Sequence, residues 1–153
     1  MLLLRKCKPI PIEQFPTDKK TTDYTNCLAF ALGIKEPRKR ENQYSLTPTK
    51  EEIGEIFLKK VKGLGFNPKQ FRRITREEER TVGGYVIRVY GFVGEETIDD
   101  GIRYDFHLIR RELDGRWVHK PGYYYKPQAL TQEYWIAIHE RFGNDFVSFE
   151  LKA

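Results

Sequence analysis

Two residues in this chain have the types and the settings that thiol chemistry requires. Cys27 lies in the opening turn of a short predicted helix, at 25–32, just before Gly33. Unpaired N–H groups and the positive end of a helix dipole favour thiolate over thiol, and they can also receive an oxyanion. His107 lies near the start of a predicted strand, where an imidazole can serve as the base of a helix-borne thiol. The pattern therefore predicts a nucleophile and a general base.

A predicted hairpin brings a second imidazole next to His107. Residues 104–112 and 116–120 read as strands on either side of Leu-Asp-Gly at 113–115, which is typical of a type I turn closed by a G1 bulge. Side chains two apart in a strand share a face. In this register one face carries His107, Ile109, Trp117 and His119. His119 is then a diagonal neighbour that can orient His107, whereas a two-residue turn would flip the parity and remove it.

Each of these residues also has a structural interpretation. A cysteine in an apolar helix is commonly an inert core residue, and a histidine in a strand is more often structural than catalytic. Cys27, His107 and His119 could instead bind zinc, although a structural zinc site usually has four ligands and no fourth is evident. The chain has two cysteines, and one disulfide between Cys7 and Cys27 stays open.

Two helices are predicted in the N-terminal half of the chain. The helix at 25–32 has Asp23 or Thr25 as its candidate N-cap. The next helix begins at a capping box formed by Thr49 and Glu52, and its apolar residues recur at helical spacing. The first helix is the element that must position the thiol.

The C-terminal half reads mainly as strands. Residues 84–93 alternate with a period of two, 131–142 suit a short helix, and 146–151 suit a last strand. The charged run at 76–80 is expected to be a solvated face. Helices followed by an antiparallel sheet predict an α+β fold.

Length and composition fit one domain spanning 1–153, of which 1–22 is expected to be an irregular, proline-containing lead-in. With 39% hydrophobic and 14% aromatic residues, the chain can bury a core. The formal net charge of +5 favours anionic partners. No segment approaches the ~20 apolar residues of a membrane span. A secretory signal has basic residues before its apolar stretch, whereas here the charges follow a run of three leucines. We therefore expect a protein of the cytoplasm, or one released without its own signal peptide, with no cofactor and no membrane partner.

Two blocks of the chain resemble the pattern "NCxxYAL … DYHxxRxxxDGxWxHKPG". The first block is Asn26-Cys27-Leu28-Ala29-Phe30-Ala31-Leu32. The second holds Tyr104-Asp105-Phe106-His107 and then 114–122 (Asp-Gly-Arg-Trp-Val-His-Lys-Pro-Gly). That pattern is typical of uncharacterised bacterial and phage proteins that resemble papain-like cysteine hydrolases, with the NlpC-type cell-wall peptidases as the nearest well-understood relatives. The resemblance implies a papain-like core with Cys27 as nucleophile, His107 as base and His119 as the third residue. It also implies that Asn26 or Tyr24 helps the oxyanion site.

The first functional hypothesis is a thiol-dependent hydrolase or acyl-transfer enzyme. Cys27 would attack an amide or ester carbonyl of a peptide, a protein or a peptidoglycan stem peptide, and Trp117 is a candidate substrate contact. The second hypothesis is a binding protein without chemistry, for instance a phage-encoded factor that binds a host protein or nucleic acid. Its candidate contacts are Lys35, Arg38, Lys39, Arg40, Arg72, Arg73, Arg110 and Arg111. No nucleic-acid motif accompanies these basic residues.

Overall fold

The computed structural model describes residues 3–36, 50–96 and 102–152. Their helices are α1 (Lys19–Tyr24), α2 (Cys27–Leu32), α3 (Lys50–Gly63), α4 (Arg76–Glu79) and α5 (Gln132–Phe142). Their strands are β1 (Phe71–Ile74), β2 (Tyr85–Glu96), β3 (Ile102–Arg111), β4 (Trp117–His119), β5 (Gln128–Ala129) and β6 (Phe146–Leu151). All six strands pair antiparallel in one sheet, in the order β1-β6-β2-β3-β4-β5. The fold is α+β, as predicted.

Both faces of the sheet are covered by helices. Ile87 and Val89 of β2 pack in one apolar cluster with residues of α2 and α3. Tyr90, the next residue along, packs in a second cluster with Ile138 and Phe142 of α5. Because side chains alternate along a strand, the sheet has an α2 face and an α5 face, and each strand residue belongs to one of them. This division decides which of the predicted site residues can meet.

The helix that carries Cys27 begins at Cys27 itself, two residues later than predicted. Asn26 is the N-cap, and its side-chain oxygen accepts a hydrogen bond from Ala29 N–H at 2.9 Å. The predicted caps, Asp23 and Thr25, were therefore wrong; Asn26 holds the extended cap geometry with an acceptor in reach of the third helical residue. Gly33 ends the helix with a left-handed φ of 76°, as predicted. A side chain there would also place its Cβ 2.4 Å from the carbonyl oxygen of Lys8.

The predicted irregular lead-in at 1–22 is partly wrong. A 3₁₀ turn spans Ile12–Gln14, and α1 begins at Lys19. Asp18 starts α1 because its carboxylate accepts a hydrogen bond from Thr21 N–H at 3.1 Å. The β-branched threonines that follow have low helix propensity, which hides this short helix from periodicity.

The charged run at 76–80 is not simply a solvated face. Thr75 and Glu78 form a reciprocal capping box at the start of α4. Glu79 is buried, and both of its oxygens accept hydrogen bonds from Arg88, at 2.9 and 2.8 Å. The run is amphipathic over a single turn, too short for a periodic signal to show.

The remaining local predictions are confirmed where the structure describes them. β2 covers the predicted strand 84–93 from residue 85 onward, and α5 covers the predicted helix 131–142 from residue 132 onward. β6 matches the predicted strand at 146–151. The second predicted helix corresponds to α3, with Ile53 and Phe57 buried. Thr49 of its predicted capping box lies outside the described residues.

Candidate active site

The hairpin of β3 and β4 has the predicted register. Glu112 N–H donates to Arg116 O at 2.8 Å, and Arg110 pairs with Val118. Gly115 has a φ of 92°, which is the left-handed conformation expected of the glycine in a G1 bulge. The turn therefore sets the parity that places His107 and His119 on one face.

The two histidines are in contact, as the register implies. His107 Nε2 and His119 Nδ1 are 2.8 Å apart, with the rings nearly perpendicular. Burial lowers the pKa of His107 to about 3, with the neighbouring His119 as a smaller cause, and burial lowers the pKa of His119 to about 4. Both imidazoles are therefore neutral near pH 7.

The hydrogen bond between the rings favours one tautomer. His119 Nε2 is buried and has no hydrogen-bond partner among the described residues. An unpaired acceptor there costs less than an unpaired N–H, so Nε2 is best left unprotonated. His119 Nδ1–H then donates to His107 Nε2, and the proton of His107 sits on Nδ1.

Acidification is expected to destabilise the protein through this pair. The unfolded chain takes up protons below about pH 6.5, whereas the folded histidines do so only near pH 4 and 3. Stability is thus lost as pH falls from 6.5, by about 1.4 kcal/mol per pH unit for each histidine. Urea unfolding between pH 7 and 5 measures this slope. A slope that persisted in a His107→Gln/His119→Gln variant would contradict the assignment; exposed His139, changed to Gln, is the control.

Cys27 belongs to the other face of the sheet. It is buried in the apolar cluster that contains Leu108, the strand neighbour of His107. Ile109, which shares the face of His107, packs instead with α5, and Tyr134 of α5 stacks on His119 at 4.5 Å. The structure therefore brings the two histidines together but puts the sheet between them and the helix that carries the thiol.

The structure supports neither the zinc site nor the disulfide that the sequence left open. Over the residues described, no three His, Cys, Asp or Glu side chains are grouped so that they could hold a metal ion. The set of Cys27, His107 and His119 is thus not a zinc site. Neither Cys7 nor Cys27 forms a disulfide, and both are buried. Burial raises the pKa of Cys7 to about 12.

The α2 face offers Cys27 a different charged neighbour. Lys120 is fully buried, and its Nζ donates to the carbonyl oxygens of Thr22, Thr25 and Gly122 at 2.6, 2.5 and 2.7 Å. Burial lowers the pKa of Lys120 to about 8, and electrostatic interactions with Cys27 and Asp23 partly offset that effect. Near pH 7 this lysine is a cation held at the carbonyl of Thr25, two residues before the thiol. The sequence contains a signal for this placement, because side chains alternate along β4 and Lys120, which follows His119, therefore faces the opposite side of the sheet.

The other predicted site residues lie in different surroundings. Asn26 uses its side-chain oxygen to cap α2, which leaves its amide as the donor end. Tyr24, at the end of α1, is exposed. Trp117 lies on the α5 face, where it meets Trp135 edge-to-face with the ring centroids 6.0 Å apart, and this face is turned away from Cys27.

The basic residues proposed as nucleic-acid contacts do not form one surface. Arg110 is fully buried, so that assignment was wrong. Arg72 is paired with Glu78 and Glu150, and Arg111 donates to backbone carbonyls of Glu79 and Val82. Lys35 and Arg73 are exposed, while Arg38, Lys39 and Arg40 lie outside the described residues.

Comparison with known proteins finds no relative of this chain. No protein-family description, no curated protein and no solved structure matches this chain. None of the helices in the described part of the chain is long and apolar enough to cross a membrane. Functional conclusions therefore depend on the geometry of the site.

Proposed function

We propose that this protein is a thiol-dependent hydrolase or acyl-transfer enzyme that acts on an amide or peptide bond, with Cys27 as its nucleophile. The observation that carries the proposal is the buried Lys120 ammonium, which donates to the carbonyl oxygen of Thr25 at 2.5 Å, two residues before the thiol in the first turn of α2. Few buried lysines lack a carboxylate partner, and this one is held by three carbonyl oxygens instead. A cation held there favours the charged form of a neighbouring thiol.

The chemistry follows from a thiolate that exists before substrate binds. Its sulfur attacks the carbonyl carbon, and the carbonyl electrons move to the oxygen to give a tetrahedral oxyanion. The N–H groups of Cys27 and Leu28 at the start of α2 and the Asn26 amide are the candidate donors to that charge, because Ala29 N–H already donates to the Asn26 side chain. Collapse breaks the carbon–nitrogen bond, the amine takes a proton from solvent, and water then hydrolyses the thioester to a carboxylate and the free thiolate.

A papain-like core of the NlpC type remains part of the proposal. A thiol at the start of a helix, an antiparallel sheet that follows it, and an imidazole pair on adjacent strands all support it. The position of His107 on the α5 face weighs against its predicted role as the base. Lys120 is the residue on the α2 face that can replace His107 in activating the thiol.

Alkylation of each cysteine by iodoacetamide as a function of pH tests the proposal. We expect Cys27 to react at about pH 6, because only the thiolate is nucleophilic. Cys7 should stay unreactive in the same sample, since burial raises its pKa to about 12. Cys27 reacting no faster than Cys7 below pH 8 would overturn the proposal.

Two variants assign the activating group. Lys120→Gln removes the charge but keeps amide donors for the carbonyls, and it should slow Cys27 alkylation at pH 6 about tenfold or more. His107→Ala should leave the rate unchanged. The opposite pattern would return the base to His107. Cys7 controls for folding, because a variant that opens its core exposes Cys7 as well.

Trapping an acyl-enzyme tests the reaction itself. Incubation with p-nitrophenyl acetate should add one acetyl group to Cys27, seen by peptide mass spectrometry, and Cys27→Ser should abolish it. Peptide amides and peptidoglycan fragments can then be compared as substrates. A reactive thiolate that never takes an acyl group would leave a sensor or binding role for Cys27 and exclude the hydrolase.

A further inference from the structure

A cavity of about 460 Å³ opens on the α5 face, away from Cys27. Its walls come from α4, β2, β4, α5 and the turn between α5 and β6. This volume is in the range of pockets that hold small molecules. The cavity is independent of the thiol, so an inference about it does not rest on the proposed function.

The cavity carries an excess of positive charge. Four arginines line it (Arg76, Arg80, Arg88 and Arg111) against one carboxylate, Glu79, which leaves three positive charges in formal excess. Arg88 uses that carboxylate in full, through two hydrogen bonds. Among the described residues no carboxylate forms an ion pair with any of the other three arginines. Such an excess is balanced best by a bound anion.

The rest of the lining is aromatic. The Arg88 guanidinium lies 4.6 Å from the ring centroid of Trp117 and 4.6 Å from that of Phe146. Trp135 crosses Trp117 edge-to-face, and the Tyr90 ring lies tilted against Phe146 with the centroids 4.9 Å apart. Aromatic and guanidinium surfaces of this kind stack on planar rings of a ligand.

The exposed arginines and the aromatic rings lie at different depths in the cavity. Arg88 and the aromatic rings are partly or fully buried at the floor, whereas Arg76 on α4 and Arg80 just after it are exposed at the rim, and the Arg76 guanidinium reaches the floor at 4.8 Å from the Phe146 ring centroid. A ligand with a planar ring at one end and a charged group at the other would match this division. Arginine recognises phosphate through paired N–H donors.

We propose that this cavity binds a nucleoside monophosphate, with the base among the aromatic residues of the floor and the phosphate at the rim arginines. Arg76 and Arg80 supply the phosphate contacts. Trp117, Trp135 and Phe146 enclose the base. His139 lines the same cavity and is exposed, so it is a candidate contact for the sugar or the phosphate.

Tryptophan fluorescence tests the proposal directly. The chain has two tryptophans, and both line this cavity. Titration of the full chain with AMP, GMP, CMP and UMP, excited at a wavelength the nucleotides do not absorb, should change the emission for at least one of them. Adenosine, ribose 5-phosphate and inorganic phosphate serve as partial ligands, and each should bind at least about tenfold more weakly than the matching nucleotide.

Paired variants locate the site. Arg76→Gln/Arg80→Gln should weaken nucleotide binding about tenfold or more, because two charged donors are lost. Lys69→Gln/Arg73→Gln removes the same charge from exposed positions outside the cavity and should leave the affinity unchanged. No emission change with any of the four nucleotides would overturn the proposal. Equal weakening by both pairs of substitutions would also overturn it, because the effect would then come from net charge alone. Inorganic phosphate binding as tightly as the nucleotide would overturn it too, because the cavity would then be an anion site without base recognition.

Discussion

Arg110→Met is expected to lower the free energy of unfolding by about 3–5 kcal/mol. The Arg110 guanidinium is fully buried and bonds both oxygens of Glu112, at 3.0 and 3.1 Å. It also donates to the carbonyl oxygens of Ile10 and Phe30. Methionine fills the space but leaves Glu112 as a buried, unpaired carboxylate. Urea denaturation monitored by circular dichroism measures the loss.

Two further variants separate charge from packing at this position. Arg110→Met/Glu112→Met removes both charges and should recover part of the stability, although Ile12 N–H then loses Glu112 as its acceptor. Arg116→Met changes an exposed arginine on the same hairpin and should shift the midpoint little. A double variant less stable than Arg110→Met alone would show that the carboxylate does not need its partner.

Lys120→Met is the second large effect, with an expected loss of about 2–6 kcal/mol. The carbonyl oxygens of Thr25 and Gly122 would lose their donor, whereas that of Thr22 keeps Tyr124 N–H, and each unsatisfied polar group costs about 1–3 kcal/mol. Those oxygens belong to Thr22, Thr25 and Gly122, so one ammonium holds the end of α1, the start of α2 and the chain after β4 together. Urea denaturation at pH 7, where Lys120 is charged, measures the loss.

The control for Lys120 lies a few residues away. Lys126 is exposed, and Lys126→Met should leave the unfolding midpoint unchanged. Lys120→Gln should fall between the two, because an amide can still donate to some of the carbonyls. If Lys120→Met were as stable as the wild type, the ammonium would not be a structural cation, and its effect on Cys27 would lose its basis.

The end of β4 thus places an imidazole on one face of the sheet and an ammonium group on the other. His119 faces α5 and joins His107 in a neutral pair, and Lys120, the next residue, faces α2 and lies next to Cys27. The thiol and the nucleotide cavity are consequently on opposite sides of the sheet. Each can be tested without disturbing the other.

Much of the local structure could be predicted from the sequence because its signals are local. Gly33 ends α2 since few other residues take a positive φ, and the Leu-Asp-Gly turn sets the hairpin register through the conformation of Gly115. That register correctly placed His107 beside His119. The same reasoning missed α1 and α4, whose single turns are set by caps at Asp18 and Thr75 rather than by periodicity.

By itself, then, the sequence determined the α+β class, most helices and strands, and the parity that unites His107 with His119. Only the tertiary structure decided which face of the sheet receives the helix of Cys27. Parity cannot settle this, because both faces of the hairpin carry apolar residues, Leu108 and Val118 on one and Ile109 and Trp117 on the other. The choice depends on burial against distant helices, and it made Lys120 rather than His107 the charged neighbour of the thiol.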